Sequence, residues 1–493
     1  MRAPPALAAL AFALIAALAS AQAAAPADGA TTVVIVTQDQ AALRAAARDS
    51  AQQQALLWQG DLLELRGERV DHLQVYDHRR ERAGFVRATQ VRRVSLAAAD
   101  APELLAVLRF LRDQPGSEAL GIAYAAAYLR AAPVAAIDAD PFDAIGAMAE
   151  RLARRASARQ GQAGDAAVAA HLEVVAGYGV IMNRFERDGR IQQCYDGDAY
   201  RRVLAMRASV LQQARAVLAL TRHDCIDPRL PAPERQQLDE ARAELLERVD
   251  LMVLPDALKN RIRMRRAGVW SAVAFARARH GEDGSLAAQR AIDALAAVDK
   301  AQLGEADATA YADAALRTSA SLWAAEPAVP ATGARLALAL STGRPGETCL
   351  ALTDAQHDAA QPLLRRCSFG RVWSQSVAVS PSGNALAVAV QPLAGWRELW
   401  VFHRVGKAWV ADALPASTGE PELGVIEFAG WVPSGTQLLV AREARVDGRF
   451  QRSFELLRLD TLATVKRADR PEALSSFQRW QDPRWRRLTV SLR

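Results

Sequence analysis

The spacing of apolar residues changes twice along this chain of 493 residues and divides it into three regions. In the first and third regions apolar residues alternate with polar ones, as Leu63 and Leu65 do, which is typical of half-buried strands. In the middle they recur every three or four residues, as Leu104 and Leu108 do, which is typical of helices. The sequence therefore predicts a multidomain α+β protein. The predicted domains are a small β-barrel at 31–95, an all-α domain at 101–325 and a β-rich domain at 330–493.

The third region contains a repeat. Pro330, Pro381, Pro433 and Pro483 lie 51, 52 and 50 residues apart, and each precedes an alternating segment such as Arg487-Leu488-Thr489-Val490. A period near 50 residues with about four short strands per unit indicates propeller blades. We expect strands at 374–380, 384–391, 397–404 and 407–413 in the second unit. The turn Trp431-Val432-Pro433-Ser434-Gly435 resembles that of TolB-like and WD40-like propeller repeats.

The repeat predicts only about thirteen strands, or about three blades. Closed propellers have four to eight blades. We therefore expect an open, partial propeller-like array. The exposed strand edges of such an array need to be covered, by the helical domain or by a partner chain.

Four short segments of the first region occur in the order typical of one domain family. They are Ala42-Leu43-Arg44, Gln59-Gly60-Asp61, His72-Leu73-Gln74-Val75 and Gly84-Phe85-Val86. Together they resemble a bacterial SH3-like domain, a small barrel. The resemblance implies binding of cell-wall peptides or glycan, or docking to a protein. It makes Trp58, His72, Tyr76 and Phe85 the candidate ligand-binding residues, although packing in the core or at the rim of a small barrel also suits the aromatic residues among them.

The middle region is interrupted at Gly- and Pro-containing breaks such as Pro115-Gly116 and Asp140-Pro141. These breaks predict eight to ten helices, most of 10–25 residues. Short connections make consecutive helices antiparallel neighbours. Either an array of helical hairpins or an irregular bundle fits this pattern.

The N-terminus has the features of a secretory signal peptide. Arg2 precedes an apolar run from Ala6 to Leu18, and Ala19-Ser20-Ala21 fits a cleavage site, with Ala21-Gln22-Ala23 a close alternative. We assign residues 1–21 to the signal peptide. No cysteine directly follows the run, and no later segment has 18 consecutive apolar residues. We therefore expect a periplasmic or secreted protein with neither a lipid anchor nor a transmembrane segment.

Four cysteines in an exported protein predict two disulfides. Pairing nearest neighbours joins Cys194 to Cys225 and Cys349 to Cys367. One straight helix between Cys194 and Cys225 would be over ~35 Å long, far beyond the span of a disulfide. The segment must therefore fold back, which we place near Met206–Ser209 with Ser209 capping the second helix.

The net charge is +6, and only four of the 61 basic residues are lysines. The densest basic stretch is Arg261, Arg263, Arg265 and Arg266. Nucleic-acid sites combine basic residues with aromatic residues or a reader motif, so this stretch favours a solvated helix face instead. We expect no nucleic-acid partner, while weak attraction to anionic lipid or polysaccharide stays open.

The sequence carries no recognised catalytic, cofactor or metal motif, and its seven histidines lack ligand spacing. We therefore predict no cofactor, no metal and no catalytic residue. The leading hypothesis is a non-enzymatic interaction protein that binds a protein partner, peptidoglycan or another cell-envelope component. One alternative is a polysaccharide- or peptidoglycan-acting enzyme, or its accessory subunit, marked by convergent carboxylates in a pocket. The other is a structural module that self-assembles into a homo-oligomer.

Overall fold

The computed structural model describes residues 32–158, 165–187, 189–327, 335–419 and 421–490. The predicted signal peptide at 1–21 and the first repeat proline, Pro330, lie outside these residues. The described chain is a mixed α+β protein with twelve α-helices and several antiparallel sheets. No helix within the described ranges has the length and apolar character needed to cross a membrane.

Seven short strands form the N-terminal sheet, and every neighbouring pair is antiparallel. They are β1 (Thr32–Val36), β2 (Ala41–Arg44), β3 (Gln53–Leu57), β4 (Leu62–Arg69), β5 (His72–Asp77), β6 (Arg82–Arg87) and β7 (Val91–Ser95). The order is β3-β2-β6-β5-β4-β1-β7. The strands do not close into the predicted small barrel, because β3 and β7 do not pair. Val33, Ile35 and Val94 are instead buried against the first helices.

Ten helices follow in the described residues up to residue 321, in agreement with the predicted number. They are α1 (Ala101–Arg112), α2 (Glu118–Ala131), α3 (Asp140–Ala158), α4 (Asp165–Ala176), α5 (Asp198–Ala205), α6 (Val210–Leu220), α7 (Ala232–Glu247), α8 (Asp256–His280), α9 (Ser285–Ala296) and α10 (Glu305–Ser321). The long helix α8 is central to the packing: Ile262, Val269 and Val273 are fully buried on it. Many of the buried residues are alanines, which allow close approach of neighbouring helices.

A β-hairpin interrupts the region that we predicted to be entirely helical. It consists of β8 (Met182–Arg187) and β9 (Arg190–Tyr195). Gly189 in its turn has a φ of +71°, a value that glycine adopts readily. The prediction was wrong here because these short strands lie between strongly helical segments.

Both predicted disulfides are present. Cys194 of β9 is bonded to Cys225, and Cys349 is bonded to Cys367. The chain folds back between α5 and α6 where the first disulfide required it. Ser209 caps α6 in a reciprocal capping box with Gln212, as predicted.

Eleven strands follow residue 335 in three consecutive antiparallel units. The strands are β10 (Ala337–Thr342), β11 (Thr348–Thr353), β12 (Leu364–Ser368), β13 (Arg371–Val379), β14 (Ala385–Leu393), β15 (Trp396–Val405), β16 (Ala408–Leu414), β17 (Leu423–Trp431), β18 (Gln437–Val446), β19 (Arg449–Arg458) and β20 (Thr464–Ala468). The units are β10–β12, β13–β16 and β17–β20. The four strands predicted for the second unit are confirmed to within a few residues. A short parallel contact between β15 and β17 joins the second and third units.

The repeated turns have the predicted backbone. Gly383 and Gly435 have φ values of +69° and +67°. The turns also touch, because the side-chain amide of Asn384 donates a hydrogen bond to the carbonyl of Gly435 at 3.3 Å.

The predicted fourth repeat is wrong, because its residues are helical. Helices α11 (Ser475–Trp480) and α12 (Pro483–Leu488) occupy this segment. Asp482 caps α12 and Pro483 begins it, which is a favourable helix start. The helices cover β17, where the Asp482 amide donates to the carbonyl of Ala429 at 2.7 Å. Leu316 of α10 packs against the other end of β17, at Leu423.

Candidate functional site

Three of the four predicted ligand-binding residues lie on one face of the N-terminal sheet. His72, Gln74 and Tyr76 are every second residue of β5, and Phe85 on β6 lies opposite Gln74. Residues two apart on a strand and their cross-strand partners share a face. The structure therefore brings these three residues together and leaves Trp58 elsewhere.

Neighbouring side chains already contact two of these residues. His72 is buried and bonded to Asp71 through Nδ1 at 2.7 Å. The guanidinium of Arg66 lies 4.0 Å from the ring centre of Tyr76, and His78 packs edge-on against the same ring. Phe85 is half-buried. The three residues therefore do not form a continuous aromatic groove.

Trp58 lies where the N-terminal sheet meets the helices. Its ring packs against the core of α2 to α4 and lies perpendicular to His171, with ring centres 6.4 Å apart. Beside it, the carbonyl of Gly60 accepts a hydrogen bond from the Tyr178 hydroxyl at 2.5 Å. A Cβ atom at residue 60 would lie 2.6 Å from the carbonyl oxygen of Ala119. Trp58 thus packs between the N-terminal sheet and the helices.

A cavity in the helical region has a volume of about 940 Å³. Nine arginines and four carboxylates line it, so its wall carries an excess of positive charge. We call it the arginine cavity. It is enclosed mainly by α3, α6, α8 and α10, with Arg187 of β8 and Arg445 of β18 at its edge.

Helical spacing directs these side chains inward. On α8, Arg261, Arg265 and Gly268 are separated by four and three residues, so they share one face of the helix. On α10, Asp313 and Arg317 are four residues apart and also face the cavity. The polar stripe on each helix therefore faces the cavity, while the apolar stripes form the surrounding core.

The prediction of a solvated helix face was wrong for part of the basic stretch on α8. Arg261 is half-exposed and paired with Asp307 at 2.8 Å, as a surface residue would be. Arg265, however, lines the cavity. Arg266 is largely buried and donates to the carbonyl of Leu246 at 2.8 Å.

All four carboxylates of the cavity are paired with arginine. Glu150 contacts Arg222 at 3.0 Å, and Asp313 contacts Arg445 at 3.1 Å. Asp224 is also bonded to Arg222. Burial acts to raise the pKa of Asp224, but the hydrogen bond and charge of Arg222 outweigh it and hold the pKa below its ordinary value. Paired carboxylates of this kind are poorly suited to general acid–base chemistry.

Two arginines of the cavity are poorly compensated. Arg265 has no carboxylate within ion-pair distance among the described residues, and Nη1 donates only to the carbonyl of Leu218 at 3.1 Å. Burial and the charge of Arg242 lower the pKa of Arg265 to about 9. Among the described residues, Arg317 has one distant carboxylate partner, Asp313 at 3.9 Å, and its Nε has no acceptor. Burial also lowers the pKa of Arg317.

His223 adds a neutral donor to the cavity. Its Nδ1 lies 3.3 Å from Nη2 of Arg242, and a guanidinium can only donate, so Nδ1 is the acceptor. The proton of the neutral ring is therefore on Nε2, which has no hydrogen-bond partner in the part of the chain that the structure describes. Burial and the charges of Arg317 and Arg242 hold the pKa of His223 well below its ordinary 6.5. The ring is therefore neutral at pH 7.

Gly268 makes room for this imidazole. A Cβ atom at residue 268 would lie 2.7 Å from Nε2 of His223 and 3.4 Å from Cδ of Arg317. Any larger residue would therefore press on His223 and Arg317, which both line the arginine cavity.

The loop that carries His223 is held on both sides. The disulfide between Cys225 and Cys194 ties it to β9. Arg187 of β8 donates to the carbonyls of His223 and Ile226 at 3.2 and 2.8 Å. These bonds position the imidazole before any ligand arrives.

One group of residues has the spacing of a metal site without its chemistry. Ligand atoms of Glu347, Cys349 and Cys367 lie within 4.8 Å of one another. Both sulfurs are joined in the second disulfide, and a disulfide sulfur is not the thiolate that a metal requires.

The sequence pattern did not predict the arginine cavity. The spacing of Arg261 and Arg265 was visible, but their surroundings depend on α10 and on the loop at His223, about 40 to 50 residues away. Comparisons with protein-family models, curated proteins and solved structures found no match for this chain.

Proposed function

We propose that this protein is an extracytoplasmic binding protein that takes up an anionic ligand in the arginine cavity. The observation that carries the proposal is the set of unused donors: Nε2 of His223, Nε of Arg317 and the uncompensated guanidinium of Arg265. Buried donors without acceptors are costly, and a ligand rich in acceptor oxygens would satisfy them. This ligand would also relieve the repulsion among the arginines.

The ligand class follows from the donors. Guanidinium groups bind carboxylates and phosphates through two parallel hydrogen bonds, which makes arginine the preferred residue for these anions. A volume of about 940 Å³ is within the range of small-molecule sites. We therefore propose a small molecule, or the end of an envelope polymer, that carries more than one phosphate or carboxylate group.

The residues of the arginine cavity favour a binding protein over an enzyme. The enzyme hypothesis required convergent carboxylates with divergent pKa values, whereas the carboxylates of this cavity are all bonded to arginine. The proposal of a non-enzymatic binding role rests on this pairing.

The proposed location is the periplasm or the exterior of the cell. It rests on the signal-peptide pattern of residues 1–21 and is supported by the two disulfides. Disulfides persist in oxidising compartments and are rare in the cytosol.

We also propose the finer family relationships for the two β-rich domains. The order of the N-terminal segments supports an SH3-like domain with an open edge. The contact between Asn384 and Gly435 supports a partial propeller-like array, because corresponding turns of consecutive blades lie side by side around a common axis. In this proposal the two domains support the helical binding site and offer surfaces to an envelope partner.

Calorimetric titration of the purified protein with phosphate, pyrophosphate and citrate tests the proposed function. We expect pyrophosphate or citrate to bind more tightly than phosphate, because they carry several anionic groups. Arg265→Gln should weaken binding at least about tenfold, as expected for a lost hydrogen bond to a charged group. Arg229→Gln is the matched control, because Arg229 is exposed and paired with Asp227 outside the cavity. Absence of binding to all three anions at low salt, or equal effects of the two variants, would contradict the proposal.

A further inference from the structure

A second cavity lies where three parts of the chain meet. It has a volume of about 200 Å³. The end of the helical region contributes Trp323, β17 contributes Phe428 and Trp431, and α12 contributes Trp485. We call it the aromatic cavity. Junctions between domains are a frequent location for small-molecule sites.

The charges around this cavity balance. Arg397 and Arg484 are matched by Glu427 and Asp482. Arg397 is 1% exposed and its Nη2 donates to Oε1 of Glu427 at 2.8 Å. The lining thus differs from the positively charged wall of the arginine cavity and does not favour a charged ligand.

Both carboxylate oxygens of Glu427 in the aromatic cavity accept hydrogen bonds, whereas two donors of the cavity have none among the described residues. Oε2 of Glu427 accepts from Nε1 of Trp485 at 2.7 Å and from the Thr489 hydroxyl at 2.8 Å. Within the described ranges, Nε of Arg397 and Nε1 of Trp431 have no acceptor. Both residues line the cavity, and Arg397 is fully buried. The cavity therefore has two donor groups that an acceptor oxygen of a ligand could satisfy.

We infer that the aromatic cavity binds a small neutral molecule that has one ring and a carbonyl-type acceptor. The aromatic walls suit a flat ring, which stacks on or against their faces. The unused donors suit a carbonyl oxygen. A dry cavity of ~150 Å³ holds one benzene ring, so about 200 Å³ holds a ring with a short substituent. This inference is independent of the anion-binding proposal.

Three probes of similar size separate the contributions of ring, acceptor and charge. Benzamide has the ring and a neutral acceptor, toluene lacks the acceptor, and benzoate carries a charge. We expect benzamide to bind at least about fivefold more tightly than toluene or benzoate, since one hydrogen bond contributes about 1 kcal/mol. Ligand-observed NMR titration of the full protein gives the affinities, and a crystal soaked with benzamide shows its position.

A matched pair of variants tests the donor. Trp431→Phe keeps an aromatic ring but removes Nε1, and we expect it to weaken benzamide binding at least about threefold without changing toluene binding. Trp409→Phe is the control, because Trp409 on β16 also has an unpartnered Nε1 but does not line the cavity. Thermal unfolding of both variants reports on their folding.

Three results would overturn the inference. They are failure of all three probes to bind, equal effects of Trp431→Phe and Trp409→Phe, and a crystal in which ordered waters alone remain in the cavity after soaking with benzamide. Anion titrations on the same samples keep this result separate from that for the arginine cavity.

Discussion

Nδ1 of His223 accepts a hydrogen bond from the guanidinium of Arg242 at 3.3 Å, and this contact fixes the proton of the neutral imidazole on Nε2. Arg242 is itself held by Asp239 and by the carbonyl of Thr221. Arg242, which does not line the arginine cavity, therefore determines which nitrogen of His223 carries the proton. The cavity gains a neutral donor, which adds specificity for acceptors without adding charge.

Substitution of His223 by its two amide analogues tests this arrangement. His223→Gln can place an N–H donor near the position of Nε2, whereas the shorter His223→Asn reaches only the position of Nδ1. We expect His223→Asn to weaken pyrophosphate binding about tenfold and His223→Gln to retain most of the affinity, measured by calorimetry. Equal losses in both variants would show that the imidazole has a packing role only.

The pH dependence of stability provides a second test of His223. Folding lowers the pKa of His223 below 6.5, so the unfolded chain binds the proton more readily than the folded protein. The stabilisation is complete above pH 6.5 and is lost as the pH falls from 6.5 towards the folded-state pKa. In urea unfolding between pH 8 and 5, we expect the wild type to lose up to about 1.4 kcal/mol per pH unit more than His223→Gln. Parallel pH profiles for the two proteins would contradict this prediction.

The two disulfides should differ in their effect on ligand binding. Cys194→Ser/Cys225→Ser releases the loop that carries His223, whereas Cys349→Ser/Cys367→Ser alters only the first β unit of the C-terminal domain. Each pair should cost about 2–4 kcal/mol of unfolding free energy. We expect only the first pair to weaken anion binding, by calorimetry at a temperature where both variants are folded. Equal binding losses in the two variants would contradict a positioning role for the first disulfide.

Gly268→Ala tests whether His223 needs the space that the missing side chain of residue 268 leaves for its imidazole. Alanine improves helix propensity by about 1 kcal/mol, but its Cβ would lie 2.7 Å from Nε2 of His223. We expect anion binding to weaken at least about tenfold while the protein stays folded, since the displaced imidazole can no longer present its donor. Gly304→Ala is the control, because a Cβ atom there meets nothing within 4 Å. Unchanged binding in Gly268→Ala would show that the imidazole is not needed at this position.

The buried pair of Arg397 and Glu427 should be sensitive to loss of one partner. Arg397→Met leaves the carboxylate buried without its counter-charge, which costs about 3–5 kcal/mol. In Arg397→Met/Glu427→Gln no uncompensated charge remains, so we expect at least half of that loss to be recovered. Denaturant unfolding of the two variants measures the difference. A double variant no more stable than the single one would argue against the electrostatic explanation.

The parts of the fold that depend on local chemistry were predictable from the sequence. Ser209 followed by Gln212 is a helix-start pattern, and it forms the predicted cap of α6. The cysteine pairing followed from the short chain distances. The strands of the second β unit followed from alternation and the Pro-Ser-Gly turn at residue 383.

The errors occurred where distant contacts decide the structure. The repeat suggested a strand at residues 487–490, but Asp482 and Pro483 begin a helix that packs on β17. The N-terminal sheet does not close into the predicted barrel, since β3 and β7 do not pair, and Val33 and Val94 pack against helices. Arg265 lies in a cavity because α10 and the His223 loop enclose it, and no local pattern indicates this.

The close approach of Gly60 to Ala119 has a consequence for the evolution of this architecture. The turn at Gly60 and the side chain of Trp58 pack against the neighbouring helices. Transfer of the N-terminal sheet to another protein would therefore expose an apolar surface on the sheet and on the helices. The N-terminal sheet and the helical region are therefore expected to be inherited together, as one unit rather than as interchangeable parts.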